Sequence, residues 1–412
     1  MQNISKFLLN QNKKETLRLI TCGSVDDGKS TLIGRLLHES QNVFEDQLKS
    51  LERDSKKFGS QVNELDFALL VDGLKAEREQ GITIDVAYRF FETELRRYIV
   101  ADTPGHEQYT RNMATGASNA ELAILLVDAQ KGILAQTRRH FRIVTLMGIH
   151  NLVLAVNKMD LVQYKENVFQ KIDSDFRSLI LDNDLKHIQV IPISAVQGVN
   201  ITENNQKIPF YSGPSLLEYL DQVQIKNSSN DLNVINSQTS SFRMPVQQVI
   251  RLDESYRGFS GRITSGSVSK GDPVRILPSG VKSRVRSVNL WKNSISNATK
   301  STSITLSLED EVDVSRGDVI CGSHDPPQIS DQFQVELIWM SQKPLIPGRQ
   351  YLLRLNQQEV NAQVTQIRFK EEIETGKHLA ADRLEMNEIA QINLSTNQPV
   401  VFEPYSTNHV MG

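Results

Sequence analysis

Residues 23–30 read Gly-Ser-Val-Asp-Asp-Gly-Lys-Ser and follow directly on the apolar run Leu17–Cys22. The pattern is G-x-x-x-x-G-K-[ST], and Ser30–Leu37 continues it with helical spacing. Glycines let such a loop turn its backbone N–H groups towards a phosphate chain, and the N-terminus of the next helix adds positive charge there. Strand, loop and helix in this order predict a nucleotide site, with Lys29 on the β- and γ-phosphates and Ser30 on Mg²⁺.

Two further segments fit the γ-phosphate side of such a site. Asp102-Thr-Pro-Gly-His106 follows the apolar run Tyr98–Ala101. An acidic residue at the end of a neighbouring strand can hold Mg²⁺ through a water, and Gly105 allows a close backbone approach to the phosphate. Arg78–Ile84 lies between the two motifs, and its Thr83 is predicted to ligate Mg²⁺ through its hydroxyl group and to sense the γ-phosphate.

Asn157-Lys-Met-Asp160 follows the apolar run Asn151–Val156 and is predicted to read the base. A carboxylate at Asp160 can accept hydrogen bonds from N1–H and the 2-amino group of guanine. Adenine offers neither donor and would leave the carboxylate unpaired, which discriminates strongly between the two bases. The stem of Lys158 is expected to lie over the base, and Asn157 is expected to tie this segment to the phosphate loop.

Ser194-Ala195 follows the strand-like run His187–Ile193 and fits a second guanine-contact loop, in which a backbone N–H meets the guanine O6. The motifs together predict GTP and GDP as ligands, with Mg²⁺ held by Ser30, Thr83 and, through water, Asp102. The sequence leaves the individual roles of Asp26 and Asp27 open. The complete set of predicted GTP-binding residues is Gly23, Ser24, Val25, Asp26, Asp27, Gly28, Lys29, Ser30, Thr31, Asp102, Thr103, Pro104, Gly105, His106, Asn157, Lys158, Met159, Asp160, Ser194 and Ala195.

The segments Gly81-Ile-Thr83 and Asp102–His106 resemble the translation-factor class of GTPases, which includes elongation factor Tu. Within that class the chain is most similar to the GTPase subunit of bacterial sulfate adenylyltransferase. Elongation factors typically carry His at the positions of Ser24 and Asp27. The similarity runs from about Leu17 to the end of the chain and is carried by residues 23–30, 78–89, 107–116, 242–247 and 256–261.

The resemblance implies a GTPase whose hydrolysis of GTP drives formation of adenylylsulfate and pyrophosphate from ATP and sulfate in sulfate assimilation. Adenylyl transfer would take place in a separate small subunit, so the resemblance implies a hetero-oligomer. His106 stands where small signalling GTPases carry a water-orienting Gln, and Lys29 and Thr83 complete the predicted catalytic set. Two other functions stay open: a carrier of aminoacyl-tRNA and a stand-alone regulatory switch. The glycine pattern of Tyr256–Gly261 argues against the carrier.

Strand-like and helical segments alternate from Leu17 to about Gln224, which predicts an α/β domain with a mostly parallel sheet and helices on both faces. Short alternating runs after it predict two small β-barrels. The predicted strands are 244–252, 274–277, 302–308 and 334–339, and the predicted turns are 266–271 and 278–280. The predicted domains are an N-terminal extension 1–15, a GTP-binding domain 16–225, a linker 226–240, and barrels 241–331 and 332–412. The resemblance predicts further strands after Gly412, so the last barrel is expected to be incomplete.

Composition indicates a soluble cytoplasmic protein. The 412 residues carry 46 basic and 49 acidic side chains, a net charge of −3, so no global basic field favours nucleic acid. Two cysteines, Cys22 and Cys321, are too few for a disulfide framework. Met1–Lys14 lacks the apolar core of a signal peptide, and no run approaches the roughly 20 apolar residues that span a membrane. We expect no membrane and no nucleic-acid partner.

Overall fold

The computed structural model describes residues 14–40, 67–71, 83, 85–180, 187–204, 206–224, 241–251, 256–291 and 293–412. The predicted linker 226–240 and, apart from Thr83, the segment Arg78–Ile84 lie outside these residues. So does nearly all of the predicted extension 1–15. The chain divides into two compact units, residues 1–226 with 372–377, and residues 227–371 with 378–412.

The first unit alternates strands and helices. Its strands are β1 (Glu15–Gly23), β2 (Ala87–Glu92), β3 (Arg96–Asp102), β4 (Leu122–Asp128), β5 (Asn151–Asn157) and β6 (His187–Pro192). The described α-helices are α1 (Lys29–Glu39), α2 (Thr110–Ala117), α3 (Ala135–Leu146), α4 (Glu166–Arg177) and α5 (Leu216–Gln222). Short 3₁₀ turns cover Phe67–Leu70, Glu107–Tyr109 and Met159–Val162.

These strands form one sheet in the order β2-β3-β1-β4-β5-β6. All neighbouring pairs are parallel except β2–β3, which confirms the predicted mostly parallel sheet. Strand β4 is buried along its whole length, as expected for a central parallel strand covered on both faces. The carboxyl ends meet at one edge of the sheet, where Thr21 pairs with Asp102 and Asp128 with Asn157. Ligands of open α/β sheets bind at this edge.

Alternating side chains of the sheet face two helical layers. Leu17 and Leu19 of β1 share a buried apolar cluster with Leu32 of α1 and Leu220 of α5. Helices α2 and α3 pack against β1, and α3 also packs against β4. Burial of these apolar side chains is the dominant stabilising term for such a domain. It holds the sheet, and with it the edge on which the site is built, in place.

The second unit contains only strands among its described elements. They are β7 (Arg243–Arg251), β8 (Arg257–Arg262), β9 (Ser267–Ser269), β10 (Pro273–Leu277), β11 (Lys282–Leu290), β12 (Asn293–Ile295), β13 (Asn297–Thr299), β14 (Ser303–Leu308), β15 (Val319–Gly322), β16 (Gln328–Ile338), β17 (Gln350–Leu355), β18 (Gln358–Glu371), β19 (His378–Leu379) and β20 (Ile389–Phe402). The all-β character predicted for this half of the chain is confirmed.

The first barrel is closed. Its strands run β10-β15-β7-β8-β14-β11, with β12 appended to β11, and a further pairing of β10 with β11 completes the ring. The interior is filled by apolar side chains such as Met244, Phe259, Ile276 and Leu306. The predicted turn at 266–271 is wrong in part. Residues 267–269 form β9, which pairs with β13 some thirty residues further along the chain. A strand that depends on so distant a partner cannot be recognised from the local sequence pattern.

The last part of the chain forms a sheet in the order β16-β20-β18-β17, with β19 beside β18. Strand β16 begins earlier than predicted, at Gln328 instead of residue 334. A cluster around Leu345, Leu384 and Ile392 fills its core. Met411 packs with Leu277 and Val401 in a smaller cluster. Both cysteines are buried free thiols. None of the helices in the described ranges is long and apolar enough to cross a membrane.

Candidate functional site: a nucleotide cleft

The loop between β1 and α1 has the backbone form that its glycines predict. Gly23 and Gly28 have φ values of 146° and 91°, and Asp26 has a φ of 66°. A Cβ atom on Gly23 would lie 2.6 Å from the Leu126 carbonyl oxygen, and one on Gly28 would overlap the side-chain amide of Asn157. Side chains other than hydrogen are therefore excluded at both glycine positions.

Lys29 begins α1 and its side chain folds back over the loop. Its Nζ donates hydrogen bonds to the carbonyl oxygens of Ser24 at 2.7 Å and Gly23 at 3.3 Å. Only 7% of the residue is exposed, and burial lowers the pKa of its ammonium group, while the nearby carboxylates of Asp27 and Asp102 oppose that shift. No carboxylate lies within ion-pair distance of this buried cation among the described residues, so it is poised for an anion from outside.

The two acids of the loop differ in position. Asp26 is exposed and lines the cleft. Asp27 is buried, and its Oδ2 accepts a hydrogen bond from the backbone N–H of Ser24 at 2.5 Å. Burial raises the pKa of the Asp27 carboxyl group, with Lys29 acting in the opposite direction. Asp27 therefore belongs to the inner frame of the loop, whereas Asp26 faces the ligand space.

Three oxygen-bearing side chains meet beside the loop. Ser30 Oγ donates to Asp102 Oδ2 at 3.1 Å and lies 3.4 Å from Thr83 Oγ1. Asp102 is 1% exposed, and burial raises the pKa of its carboxyl group. Hydroxyl and carboxylate oxygens with room for waters and phosphate oxygens form the donor set that suits Mg²⁺. The structure thus brings together the three residues that were predicted to bind the metal.

The segment after Asp102 lies tightly against the phosphate loop. Thr103 Oγ1 donates to the Thr21 carbonyl at 2.6 Å. A Cβ atom on Gly105 would lie 2.8 Å from the carbonyl carbon and oxygen of Ser24, so the close approach of this segment to the phosphate loop requires glycine. Pro104 is also buried. This packing places the backbone of residues 103–105 beside Lys29, where a γ-phosphate is predicted.

His106 is exposed at the edge of the cleft. Its Nδ1 accepts a hydrogen bond from the Gln108 N–H at 3.2 Å and so caps the turn Glu107–Tyr109. A neutral ring that accepts at Nδ1 carries its proton on Nε2. In this conformation the free nitrogen of His106 can donate to a water, but it cannot accept a proton from one.

The base-reading segment is joined to the phosphate loop by Asn157. Its Nδ2 donates to the Asp27 carbonyl at 2.8 Å, and its Oδ1 accepts from the Ala195 N–H at 3.0 Å. Lys158 has a left-handed backbone, and its Nζ forms a 2.9 Å ion pair with Asp128. One amide therefore holds three loops of the site in register.

Asp160 is half-buried and lines the cleft next to Lys158, while Met159 is fully buried in the core. Ser194 is buried and its Oγ accepts from the Gln197 N–H at 3.2 Å. Because the Ala195 N–H already donates to Asn157, it is not directed at a ligand. The structure keeps residues 194–195 beside the site, and the contact of a backbone N–H of this loop with the guanine O6 stays a prediction.

These residues surround a single cleft with a volume of about 340 Å³. A volume of this order suits a nucleotide-sized ligand. The residues that line it are Val25, Asp26, Gly28, Lys29, Ser30, Thr31, Ala68, Thr83, Gly105, His106, Asn157, Lys158, Asp160, Leu161 and Val196.

Three residues of the site were not identified from the sequence. Asp128 ends β4, is 1% exposed and holds Lys158, and its place after an apolar strand was the signal that could have found it. Arg35 of α1 contacts residues 195 and 196. His140 of α3 accepts the Gly23 N–H on Nδ1 at 2.9 Å. Neither Arg35 nor His140 has a local sequence signal, because both act across long separations in the chain.

The fully buried His140 links the loop to the segment after His106. Its Nε2 lies 2.9 Å from the side-chain amide of Gln136, and Arg139 bonds both Gln136 at 3.1 Å and Glu107 at 2.7 Å. Burial, with smaller contributions from the cations Lys29 and Arg139, lowers the pKa of His140 to about 3. The ring is therefore neutral and serves as an acceptor for the first glycine of the loop.

The fold and the cleft define a GTP-binding domain of the elongation factor Tu class, and the chain matches the family model described as the elongation factor Tu GTP binding domain over residues 14–226. Residues 332–412 match a model described as GTP-eEF1A C-terminal domain-like. A match over more than half the chain establishes guanine nucleotide binding as the character of this domain.

The chain belongs to the family of sulfate adenylyltransferase subunit 1, as predicted. It is 46% identical over 410 residues to that subunit from Francisella tularensis subsp. novicida (strain U112), covering 100% of this chain and 85% of the relative. It is 48% identical over 409 residues to the bifunctional enzyme NodQ of Rhizobium sp. (strain N33), covering 99% of this chain. The chain spans 62% of the length of that second relative.

A solved structure has the same fold at low sequence identity. The GTPase-like domain of S. cerevisiae Ski7, bound to GDP and inorganic phosphate, is 18% identical, with a TM-score of 0.53 and coverage of 98% of this chain and 95% of that chain. This similarity supports the architecture of a GTPase domain followed by β-domains.

Proposed function

We propose that this chain is the GTP-hydrolysing subunit of a sulfate adenylyltransferase. In this role it couples hydrolysis of GTP to the formation of adenylylsulfate and pyrophosphate from ATP and sulfate, while a separate small subunit transfers the adenylyl group. The observation that carries the proposal is the 46% identity to sulfate adenylyltransferase subunit 1 along the whole chain, and the cleft of about 340 Å³ lined by the phosphate loop and by Asp160 supports it.

The phosphate side of the cleft supports GTP as the substrate. Lys29 is a buried cation without an ion-pair partner among the described residues, and the N-terminus of α1 carries no side-chain cap. A triphosphate would supply the missing negative charge, and the N–H groups of the helix end would bind its oxygens. Lys29 then stabilises the charge that develops on the γ-phosphate during attack by water.

The residues near Thr83 fit Mg²⁺. Ser30 and Asp102 would hold the ion, Asp102 through a water, and Thr83 would complete the set when the γ-phosphate is bound. Bound Mg²⁺ would neutralise charge on the β- and γ-phosphate oxygens. Ser30 Oγ and Thr83 Oγ1 already lie 3.4 Å apart, so the hydroxyl groups need only small movements to share one ligand.

His106 is proposed to orient the attacking water. Its exposure at the cleft edge and its Nε2–H proton suit donation to a water. Proton abstraction would require the ring to leave the Gln108 N–H, which a protein partner pressing on residues 106–109 could bring about. Unassisted hydrolysis by the chain alone is therefore expected to be slow, at roughly the 10⁻⁴ s⁻¹ of isolated GTPases.

The need for coupling follows from the product. Joining sulfate to an adenylyl group forms a phosphate–sulfate anhydride, which is steeply uphill because sulfate is an excellent leaving group. A GTPase can drive such a step only if its two nucleotide states differ in affinity for the partner. Thr83 and Gly105 stand where loss of the γ-phosphate removes contacts, so they are the proposed sensors.

A direct test mixes the chain with the small subunit and measures adenylylsulfate with and without GTP. We expect GTP-dependent synthesis in the mixture, none from the chain alone, and loss or uncoupling of synthesis in Thr83→Ala. Thr115→Ala is the matched control, because Thr115 is exposed and its hydroxyl, among the described residues, bonds only the Arg111 carbonyl of its own helix. Synthesis that ignores GTP would favour the aminoacyl-tRNA carrier or the regulatory switch.

A further inference from the structure

Arg35 contacts the loop after Ser194 although it lies on α1, six residues beyond Lys29 in the chain. Its Nε donates to the Ala195 carbonyl at 3.0 Å, and its Nη2 donates to the Val196 carbonyl. The guanidinium also lies 4.3 Å from the centre of the Phe67 ring. An arginine fork can hold two adjacent carbonyls in one fixed orientation, which a single ammonium group cannot do.

The arginine is itself held in place. Its Nη1 lies 3.4 Å from Glu39 Oε1, and Glu39 Oε2 accepts from Thr202 Oγ1 at 2.7 Å. Gly198 has a φ of 71°, and a Cβ there would lie 2.8 Å from Glu39 Oε1. The left-handed backbone at this position favours glycine, and Glu39 holds the arginine from the side away from the carbonyls.

The orientation of the two carbonyls fixes the N–H groups that follow them. The Ala195–Val196 peptide is trans, so the Val196 N–H points opposite to the Ala195 carbonyl. Arg35 holds that carbonyl, and Val196 lines the cleft together with Asp160. The N–H of Ala195 is engaged by Asn157 and that of Gln197 by Ser194 Oγ.

We propose that Arg35 is a positioning residue for base recognition: by holding the carbonyls of Ala195 and Val196 it turns the Val196 N–H into the cleft, where it donates to the guanine O6. The inference rests on the guanine-nucleotide site of the proposed function. It makes the O6 contact of this loop, which is separate from the contact of Asp160, depend on a side chain that does not line the cleft.

The test pairs a side-chain change with a change of one ligand atom. GDP, 6-thio-GDP and IDP are bound to wild type and to Arg35→Met, which keeps the aliphatic stem. We expect 6-thio-GDP to bind wild type about tenfold more weakly than GDP, because sulfur is a poor acceptor. In Arg35→Met, the affinity for GDP should fall by about tenfold. The ratio of the dissociation constants of 6-thio-GDP and GDP should fall to about 2.

IDP supplies the internal control, because it retains O6 and lacks the 2-amino group that Asp160 is predicted to bind. The ratio of the dissociation constants of IDP and GDP should be the same in Arg35→Met as in wild type. In Asp160→Asn this ratio should fall towards 1. Arg177→Met is the matched variant: Arg177 also forms an i,i+4 ion pair, with Asp173, but on the exposed surface of α4. A general loss of stability would shift all ligands equally and leave both ratios intact.

If Arg35→Met does not fold, the ratios are measured in Arg35→Lys, whose ammonium can hold one carbonyl, and an intermediate 6-thio-GDP ratio is expected. A wild-type 6-thio-GDP ratio in the folded variant would overturn the inference and leave the proposed function standing. Failure of wild type to bind GDP at all would overturn the proposed function, and this inference with it.

Discussion

Lys29 in the phosphate loop and Arg243 in the first barrel are both almost fully buried cations, at 7% and 3% exposure. Arg243 is satisfied by its own unit: Nε pairs with Glu403 at 2.8 Å, Nη2 with Asp325 at 3.3 Å, and Nη1 donates to the Phe242 carbonyl. Among the described residues, Lys29 Nζ donates to two backbone carbonyls, those of Gly23 and Ser24. The two cations are thus similarly buried, but in the part of the chain that the structure describes only Arg243 is paired with carboxylates.

The difference separates a structural charge from a binding charge. A buried ion whose partners are internal contributes to folding and is lost with the fold. A buried ion that lacks an internal anion has a lowered pKa and raises the free energy of the empty protein, and a ligand recovers that cost. Burial alone would have ranked the two residues together, whereas the partner set distinguishes them.

The largest effect is expected from Lys29→Met. Removing the ammonium should weaken GDP binding by more than about 10³-fold, because the phosphate oxygens lose their buried cation. The free energy of unfolding of the empty chain should stay the same or rise, since a costly desolvated charge has gone. Titration calorimetry and denaturant unfolding measure the two quantities.

Lys171→Met on the exposed face of α4 serves as the control and should change neither quantity. A large loss of stability in the empty Lys29→Met chain would break the comparison, because Lys29 would then hold the fold as Arg243 does.

Arg243→Met should give the reverse pattern. The variant leaves Glu403 and Asp325 without their cation, and we expect unfolding of the second unit to become easier by about 3 kcal/mol. GDP affinity should not change. The matched control is Arg262→Met, because Arg262 is an exposed arginine of β8. Denaturant unfolding is measured for both variants. Weaker GDP binding in folded Arg243→Met would contradict the assignment of a purely structural role.

A smaller, pH-dependent effect is expected from His140. Its pKa is about 3 in the folded chain against 6.5 ordinarily, so below pH 6.5 the unfolded chain takes up a proton that the folded chain refuses. This contribution to stability is fully present above pH 6.5. It should fall on acidification towards pH 3 by up to about 1.4 kcal/mol per pH unit.

His140→Asn removes this titration and keeps an oxygen near the Nδ1 position for the Gly23 N–H. The loss of stability between pH 7.5 and pH 5.5 should therefore be smaller in the variant than in wild type, by denaturant unfolding at both values. Equal losses in the two proteins would show that His140 does not set this dependence.

The sequence was sufficient to predict the parts of the site in which the functional residues come directly after a strand. Gly23–Ser30, Asp102 and Asn157 each follow a strand, and parallel strands end at a common edge, so their meeting could be predicted from order alone. The mostly parallel sheet and the all-β second half were predictable for the same reason, since each rests on local periodicity.

Contacts between distant segments could not be predicted in this way. Arg35 looks like any solvent-facing helix residue until α1 is packed beside residues 195–196, and His140 looks like a core residue of α3. The strand β9 was missed because its short run lies next to glycines and looks like a turn. It becomes a strand only by pairing with β13. In each case the deciding partner lies far along the chain, where periodicity carries no information.

The closure of the first barrel has a consequence for how the chain is made. Val319 of β15 pairs with Pro245 of β7, so the ring joins its earliest and latest strands. Such a ring cannot form until the ribosome has released the last of these strands, and its non-local pairings make it slow to fold. Until β15 has been made, β7 lacks that neighbour and leaves one edge open, which exposes the early strands of the barrel to aggregation during synthesis.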